Sequence, residues 1–234
     1  METVKSLNAT NPKKIGLFST QEIKSAYQAV FRNSTEEPGF YYWDLGDQID
    51  SRTFRQYMVE LKNGLAQLCE SQLQKRLNYQ SMGRFNHQHT SRYHRDNGDT
   101  FSFLMLGYEP TPVDSRAFIT DYTKYLEKEN LSLIDFFGGD QEANLVLNQE
   151  MLDPYTTEMN PFHKDHYRLL LLNNSKSYDA PSHGVFHSAE IPHKMEEKDR
   201  VLNYLMLHLC DWETKEHYDE QAVHDFIYND KVDR

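Results

Sequence analysis

The stretch Thr100-Phe101-Ser102-Phe103-Leu104-Met105-Leu106-Gly107 decides the fold that this sequence predicts. It alternates between polar and apolar side chains at its start and then becomes continuously apolar, as a strand buried on both faces does. Working outward, further strands of this kind are indicated at 167–172, 184–191 and 201–209. We therefore expect about seven or eight strands, joined by irregular connections.

Helical patterns flank these strands. Ser19-Thr20-Gln21-Glu22 has the form of a capping box, and apolar residues follow it at helical spacing. The longest helix candidate is 51–77, and 213–228 is predicted to close the chain as a helix. Between them, 35–46 is expected to be a loop or short strand, and 116–125 to begin as a strand. The fold class is therefore α+β with a mainly β core, a jelly roll flanked by N-terminal and C-terminal helices.

The length of 234 residues suits one domain. Within it we expect a polar, flexible segment at 1–14 and a mainly helical flank at 15–80. The jelly-roll core is expected at 82–210 and the C-terminal helix at 213–228. No internal repeat or interdomain linker interrupts this plan.

Composition narrows the classes of function. The formal net charge of −11 argues against a nucleic-acid or membrane partner and mildly favours a cationic small substrate. Cys69 and Cys210 are too few for a disulfide framework or a thiolate metal site. Because 1–14 lacks an apolar signal region and the longest aliphatic run is only 169–172, we expect a cytoplasmic protein.

The pair His94-x-Asp96 precedes the decisive strand and ends at the turn Asn97-Gly98. An imidazole and a carboxylate at this spacing can bind one metal ion, and a distant histidine would complete a facial triad for non-haem Fe(II). Two other His-x-Asp pairs occur, at 163–165 and 217–219. Neither leaves enough chain for several strands before a third ligand, so both are expected on the surface.

The third ligand is His183, His187 or His193. His187 is favoured because it alone lies inside a strand-like segment, whereas His183 and His193 follow prolines in loops. His87 and His89 form a His-x-His pair that could also bind metal, but no glutamate follows at the spacing that a cupin site requires. We expect this pair to support the site or the strand edge.

Arg200 follows His187 by thirteen positions and opens the strand at 201–209. A guanidinium binds a carboxylate through two parallel hydrogen bonds. A cosubstrate that chelates iron at one end and carries a carboxylate at the other needs such a partner, and 2-oxoglutarate is that molecule. The sequence therefore predicts Fe(II), 2-oxoglutarate and O2 at a site formed by His94, Asp96, His187 and Arg200.

With these residues the chain resembles the Fe(II)/2-oxoglutarate-dependent oxygenases, and more narrowly the small radical halogenases and hydroxylases of free amino acids, such as the lysine halogenases. The matching stretches are 92–97 (RYHRDN), 102–110 (SFLMLGYEP), 115–122 (SRAFITDY), 185–192 (VFHSAEIP) and 200–203 (RVLN). The resemblance implies a double-stranded β-helix core. Halogenases of the group have glycine where Asp96 stands, so hydroxylation is expected here.

The resemblance also implies a substrate, a free basic amino acid such as lysine. Asn203 matches a substrate-contacting position, and Asn97 stands where relatives have an acid that meets the substrate ammonium. Arg32 or Arg84 is a candidate for the substrate carboxylate, and Glu109 and Asp121 for its ammonium groups.

Strict strand alternation puts Arg200 and Asn203 on opposite faces, so both can point inward only if the strand is irregular. Asn203 is the weaker of the two assignments. The alternatives are an oxygenase directed at peptides or proteins and a non-enzymatic jelly-roll binding module. A homodimer is compatible with this prediction, and the sequence leaves the oligomeric state open.

Overall fold

The first helix begins where the capping box predicts. The computed structural model describes residues 18–137, 149–159, 161–176, 183–216 and 218–233. Helix α1 (Thr20–Val30) is capped by Ser19, whose side chain accepts a hydrogen bond from the Glu22 backbone, while the Glu22 carboxylate accepts from the Ser19 backbone. Two otherwise unpaired donors of the first turn are satisfied in this way.

The described elements run from helices to strands and back to a helix. They are α1, β1 (Phe40–Gly46), α2 (Ser51–Leu73), β2 (Arg76–Asn86), β3 (Ser91–His94), β4 (Ser102–Tyr108), β5 (Arg116–Thr120), α3 (Tyr122–Glu129), α4 (Leu133–Phe137), α5 (Gln149–Leu152), a 3-10 turn (Asp153–Tyr155), β6 (Thr156–Glu158), β7 (Tyr167–Asn173), β8 (Phe186–Glu190), β9 (Val201–Cys210) and α6 (Glu220–Tyr228). No helix in these ranges is long and apolar enough to span a membrane.

Two antiparallel sheets form the core. The larger has the order β1-β7-β4-β9-β2 and the smaller β3-β8-β5-β6. Except for β5 and β6, neighbouring strands are not consecutive in the chain. Residues of both sheets share one apolar cluster that includes Leu104, Leu170, Ala117 and Ile119. The predicted jelly-roll core with helical flanks is confirmed.

The larger sheet is buried on both faces, which explains the continuous apolar runs. In β4, Phe103 and Met105 pack with the helices, whereas Leu104 and Leu106 pack between the sheets. Successive side chains of a strand point to opposite faces, so a strand covered on both sides needs apolar residues at nearly every position. The strand-type prediction for this stretch is confirmed.

The boundary between the long helix and the first strand after it differs from the prediction. Helix α2 ends at Leu73, where Gln74 takes a left-handed conformation, and β2 begins at Arg76. Strands β1 and β2 form the two edges of the larger sheet, although the sequence predicts a mainly helical flank for this part of the chain. Nine strands are found in the described ranges, not seven or eight.

The last helix also starts later than predicted. It begins at Glu220 rather than at 213, because the Asp219 side chain accepts a hydrogen bond from the backbone of Ala222 and caps it there. The predicted flexible segment at 1–14 lies outside the described residues.

Candidate metal and cosubstrate site

Strand pairing brings the three predicted metal ligands together. His94 ends β3 and His187 lies in β8, and these two residues are direct partners in the antiparallel register. Asp96 follows two residues after His94, in the turn that leaves β3. The smaller sheet therefore brings together two histidines that are far apart in the sequence.

The geometry of these side chains suits one metal ion. Nε2 of His94 lies 3.3 Å from Oδ1 of Asp96, and Nε2 of His187 lies 3.7 Å from the same oxygen. One ligand atom from each residue lies within 4.8 Å of the other two. Two imidazole nitrogens and one carboxylate oxygen are the donor set of a facial triad.

This is the one group of three such ligands among the residues that the structure describes. The exposed pair His163/Asp165 is 3.9 Å apart and does not belong to such a group. His217 lies outside the described residues. His183 and His193 are not part of the group, and neither are His87 and His89.

Hydrogen bonding and charge prepare the ligands for metal. Nδ1 of His94 lies 2.7 Å from the carbonyl oxygen of Arg92, so this nitrogen donates and Nε2 is the nitrogen left to bind a metal. Burial lowers the pKa of His187 to about 4, and the charge of His94 adds to this effect. Burial raises the pKa of Asp96, but its hydrogen bond with His94 and the nearby His187 outweigh burial and lower it.

For His94 the balance is the opposite. Burial lowers its pKa, but the contacts with Asp96 and with the Arg92 carbonyl outweigh burial and raise it. An ionised Asp96 and a neutral His187 are the protonation states that metal binding requires, and a bound cation would displace the proton that Asp96 favours on His94.

The fully buried Asn174 fixes the turn that carries Asp96. Its side-chain oxygen accepts from the Asp96 backbone N–H at 3.0 Å, and its amide donates to the Asp96 carbonyl at 3.0 Å. The same amide also donates to Ser102 at the start of β4. Sequence reasoning missed Asn174, because its contact with Asp96 joins residues far apart in the chain and no local pattern reveals it.

The three ligands open into a cavity of about 390 Å³ between the two sheets. Its walls are mainly apolar and aromatic, and they include Phe85, Leu106, Tyr108, Ala117, Phe118, Ile119, Leu170, Leu202 and Tyr204. Arg200 lines the same cavity. The predicted ligands and the predicted carboxylate partner thus share one chamber.

Arg200 is only 2% exposed, yet one of its nitrogens is unused. Nη1 donates to the carbonyl of His87 at 2.9 Å, and the guanidinium lies 5.2 Å from the centre of the Tyr108 ring. Nη2 is buried without a hydrogen-bond partner among the described residues. Burial lowers the pKa of Arg200. A buried cation with a free donor suits an anionic ligand.

The structure does not bring the predicted substrate residue Asn203 into the cavity. It is fully buried on the helix-covered face of the larger sheet, where it accepts from Arg84 and donates to Glu109. The pairing register of β9 is regular from Val201 to Met206, so Arg200 and Asn203 stay on opposite faces.

The other predicted anchors also lie outside the cavity lining. Asn97 is exposed, beyond the metal-site turn. Arg32 forms an ion pair at 2.7 Å with Asp121, which was a candidate for the substrate ammonium. Likewise, Arg84 pairs with Glu109 at 2.9 Å. The residues proposed to bind the two ends of an amino acid therefore neutralise one another.

Comparison with known proteins gives only a distant likeness. No protein-family model matches the sequence, and no curated protein does. Among solved structures, the chain is similar to the Kdo hydroxylase KdoO, a non-haem Fe(II) α-ketoglutarate-dependent dioxygenase. Its complex with succinate and Fe(III) has a TM-score of 0.41 at 13% identity, over 85% of this chain and 87% of that one.

The cobalt(II) complex of the same enzyme has a TM-score of 0.40 at 14% identity, with the same coverage of both chains. Likeness at this level does not bear on function. The function of this chain is therefore inferred from the side chains of its own cavity.

Proposed function

We propose that this protein is an Fe(II)/2-oxoglutarate-dependent dioxygenase that hydroxylates an unactivated C–H bond of a small molecule. The observation that carries the proposal is one cavity that holds a two-histidine, one-carboxylate group together with a buried arginine lacking a carboxylate partner. Neither feature alone defines this class of reaction. An iron site with a dicarboxylate cosubstrate requires both features in one cavity, and here the smaller sheet supplies the histidines while Arg200 precedes β9 of the larger sheet.

The residues fit the metal. His94 and His187 present Nε2 toward Asp96, and these three side chains would hold the iron ion. Bound Fe(II) would supply the oxidative chemistry, while the protein supplies orientation and a water-poor pocket. The apolar walls around the ligands serve that second purpose, because they limit solvent access to the reacting atoms.

The residues also fit the cosubstrate. A 2-oxo acid binds metal through its oxo and adjacent carboxylate groups, and the far carboxylate of 2-oxoglutarate then needs a cation. Arg200 meets this need in the cavity wall with a free, buried Nη2. An ion pair formed there would be shielded from water, so it would contribute to cosubstrate selection.

The substrate is defined less closely than the cofactors. Among the described residues that line the cavity, Asp96 is the one carboxylate and Arg200 the one guanidinium or ammonium group. Both are already assigned, and the walls left for the substrate are mainly apolar. A free, lysine-like amino acid therefore remains a prediction from resemblance, and a small molecule with a substantial apolar part is what the lining supports.

Succinate release tests the proposal. Purified protein is supplied with Fe(II), 2-oxoglutarate and O2, and a panel of free amino acids, peptides and apolar small molecules is screened for succinate and for product mass. We expect at least one compound to stimulate succinate release and to gain one oxygen atom, and not chlorine, when chloride is present. The exposed His163→Ala variant should match the wild type, and His94→Ala should be inactive.

Succinate release that persists in His94→Ala would contradict the proposed metal site. Chlorinated product from the wild type would contradict the assignment as a hydroxylase.

A further inference from the structure

A second, smaller cavity of about 120 Å³ lies beside the metal cavity. The two share Tyr108 and Arg200 as lining residues. The segment between β4 and β5 supplies much of the remaining wall, including Glu109, Asp114 and Ser115. Phe162 and Lys164 precede β7, and Arg168 lies in β7. This volume is large enough for several waters or for a carboxylate group.

Three polar atoms on its lining residues are buried without a hydrogen-bond partner in the described structure. They are Nε of Arg168, Nη2 of Arg200 and Oγ of Ser115. The three residues are 2%, 2% and 4% exposed. Buried polar atoms are nearly always hydrogen-bonded, so three of them on residues that line one small cavity indicate a missing partner that accepts hydrogen bonds.

Strand register explains how Arg168 reaches this place. It is paired with Tyr108 of β4, and it shares the inter-sheet side of β7 with Leu170. The guanidinium lies 4.3 Å from the centre of the Phe162 ring, and Nη2 donates to the carbonyl of His163. These two contacts hold the group in position and leave Nε unused.

The charges lining the cavity are predominantly positive once existing pairs are counted. Arg168, Arg200 and Lys164 are cationic, and Glu109 and Asp114 are anionic. Glu109 is already bonded to Arg84, and Asp114 and Lys164 are both exposed, so Arg168 and Arg200 are the buried charges that remain. Burial lowers the pKa of Arg168, and the charge of Arg200 lowers it further. Two buried guanidiniums without a carboxylate partner are costly until an anion joins them.

We propose that this small cavity receives the far carboxylate of the 2-oxo acid cosubstrate, with Arg168 and Ser115 as further binding residues beside Arg200. The proposal rests on the function proposed above and makes it more specific. Three donors around one carboxylate select strongly for 2-oxo dicarboxylic acids over 2-oxo monocarboxylic acids. A carboxylate on the substrate is the other source of the same chemistry, and the experiment separates the two.

The test is calorimetric titration of the Fe(II)-loaded protein, without oxygen, with 2-oxoglutarate and with 2-oxobutanoate, which lacks the far carboxylate. Arg168→Met should weaken 2-oxoglutarate binding by about thirtyfold, and Ser115→Ala by about fivefold, because charged partners form the stronger hydrogen bonds. Binding of 2-oxobutanoate should change less than about twofold in either variant. Arg116→Met is the matched control, because Arg116 is exposed and paired with Glu158 and Glu190.

The melting temperatures of the ligand-free variants show whether a substitution has simply destabilised the fold. Ser115→Ala removes a buried hydroxyl that has no partner, so its melting temperature should equal or exceed that of the wild type. Weaker 2-oxoglutarate binding in a variant that is no less stable is the expected signature. A variant that merely disturbs packing would lose stability and would bind both acids more weakly.

Unchanged 2-oxoglutarate affinity in both variants would overturn the proposal, and so would equal losses for the two acids. If the variants raise only the KM of the substrate, the cavity binds the substrate's carboxylate instead. If the loaded wild type does not bind 2-oxoglutarate, the proposed function itself fails. If Arg200→Met weakens binding and Arg168→Met and Ser115→Ala do not, only the present proposal fails.

Discussion

The larger sheet buries arginines on both of its faces, but it treats them differently. On the helix-covered face, Arg84 pairs with Glu109 at 2.9 Å and Arg55 pairs with Asp230 at 2.8 Å. On the face toward the smaller sheet, Arg200 bonds to a backbone carbonyl and keeps Nη2 unused. No ion pair is found for it or for Arg168 within the described residues.

This difference separates a structural cluster from a binding site. The helix face is largely satisfied from within, although Nη1 of Arg84 lacks a partner, and removing one member leaves a buried charge behind. On the cavity face, Arg200 and Arg168 have no carboxylate partner among the described residues, and a bound anion would supply one. A buried arginine therefore indicates a binding site only when it lacks a carboxylate partner within the protein.

The largest effect is expected for the metal ligands. His187→Ala should abolish Fe(II) binding and succinate release, because the two remaining ligands cannot hold the ion on one face. Metal content after dialysis and single-turnover succinate analysis would measure this. His163→Ala, on an exposed histidine, is the control and should retain both properties.

The next effect is expected at Arg200. Arg200→Met should raise the KM for 2-oxoglutarate by at least about thirtyfold, because losing one member of a buried, hydrogen-bonded charge pair costs roughly 2–5 kcal/mol. Its melting temperature without ligands should not fall by more than a few degrees. An unchanged KM would assign the cosubstrate to another cation.

Arg84→Met should behave in the opposite way on the other face. It leaves the partly buried Glu109 without its closest cationic partner, so the free energy of unfolding should fall by up to roughly 3 kcal/mol. The KM for 2-oxoglutarate should rise by less than about fivefold, well below the effect of Arg200→Met, because Arg84 lines neither cavity and acts on the cosubstrate only through Glu109. Urea denaturation and steady-state kinetics together measure the contrast. Similar profiles for Arg84→Met and Arg200→Met would remove the distinction between the two faces.

A smaller effect is expected for Asn174. Asn174→Ala releases the turn that carries Asp96, and loss of a group that orients a metal ligand typically costs about tenfold in metal affinity. Asn173→Ala is the matched control, since Asn173 bonds instead to the carbonyl of Val30. Competition with a fluorescent chelator measures both. Equal affinities in the two variants would show that Asn174 does not position the ligand.

The smallest catalytic effect is expected for Asn203. Asn203→Ala should lower the free energy of unfolding by about 1–3 kcal/mol, because Arg84 and Glu109 each lose a buried hydrogen bond. The KM values for 2-oxoglutarate and for the substrate identified by succinate release should change less than about twofold. A large rise in the substrate KM would restore Asn203 as a substrate residue.

Much of this arrangement follows from the sequence by simple periodicity. Continuous apolar runs predict strands covered on both faces, and the runs at 102–108 and 167–173 are such strands. The spacing of His94, Asp96 and His187 predicts a group that the register of β3 and β8 brings together. Alternation along a strand also separates Arg200 from Asn203, and the regular register keeps that separation.

The remaining features depend on partners that are distant in the chain. The separate candidates Arg32 and Asp121 form one ion pair across 89 residues, which no local pattern reveals. Asn174, Ser115 and Arg168 gain their roles from neighbours on other strands. The early end of α2 was missed because its apolar spacing runs on into β2, while the helix stops at the left-handed Gln74.

The central claim is that one site, formed around His94, Asp96, His187 and Arg200, binds Fe(II) and a 2-oxo dicarboxylic acid together. Calorimetric titration of the wild type with 2-oxoglutarate, with and without Fe(II) and in the absence of oxygen, tests it most directly. The predicted result is one 2-oxoglutarate bound per chain in the presence of Fe(II), with binding greatly weakened when the metal is omitted or Arg200 is replaced by methionine. Equal binding with and without iron, or undiminished binding in His187→Ala, would contradict it.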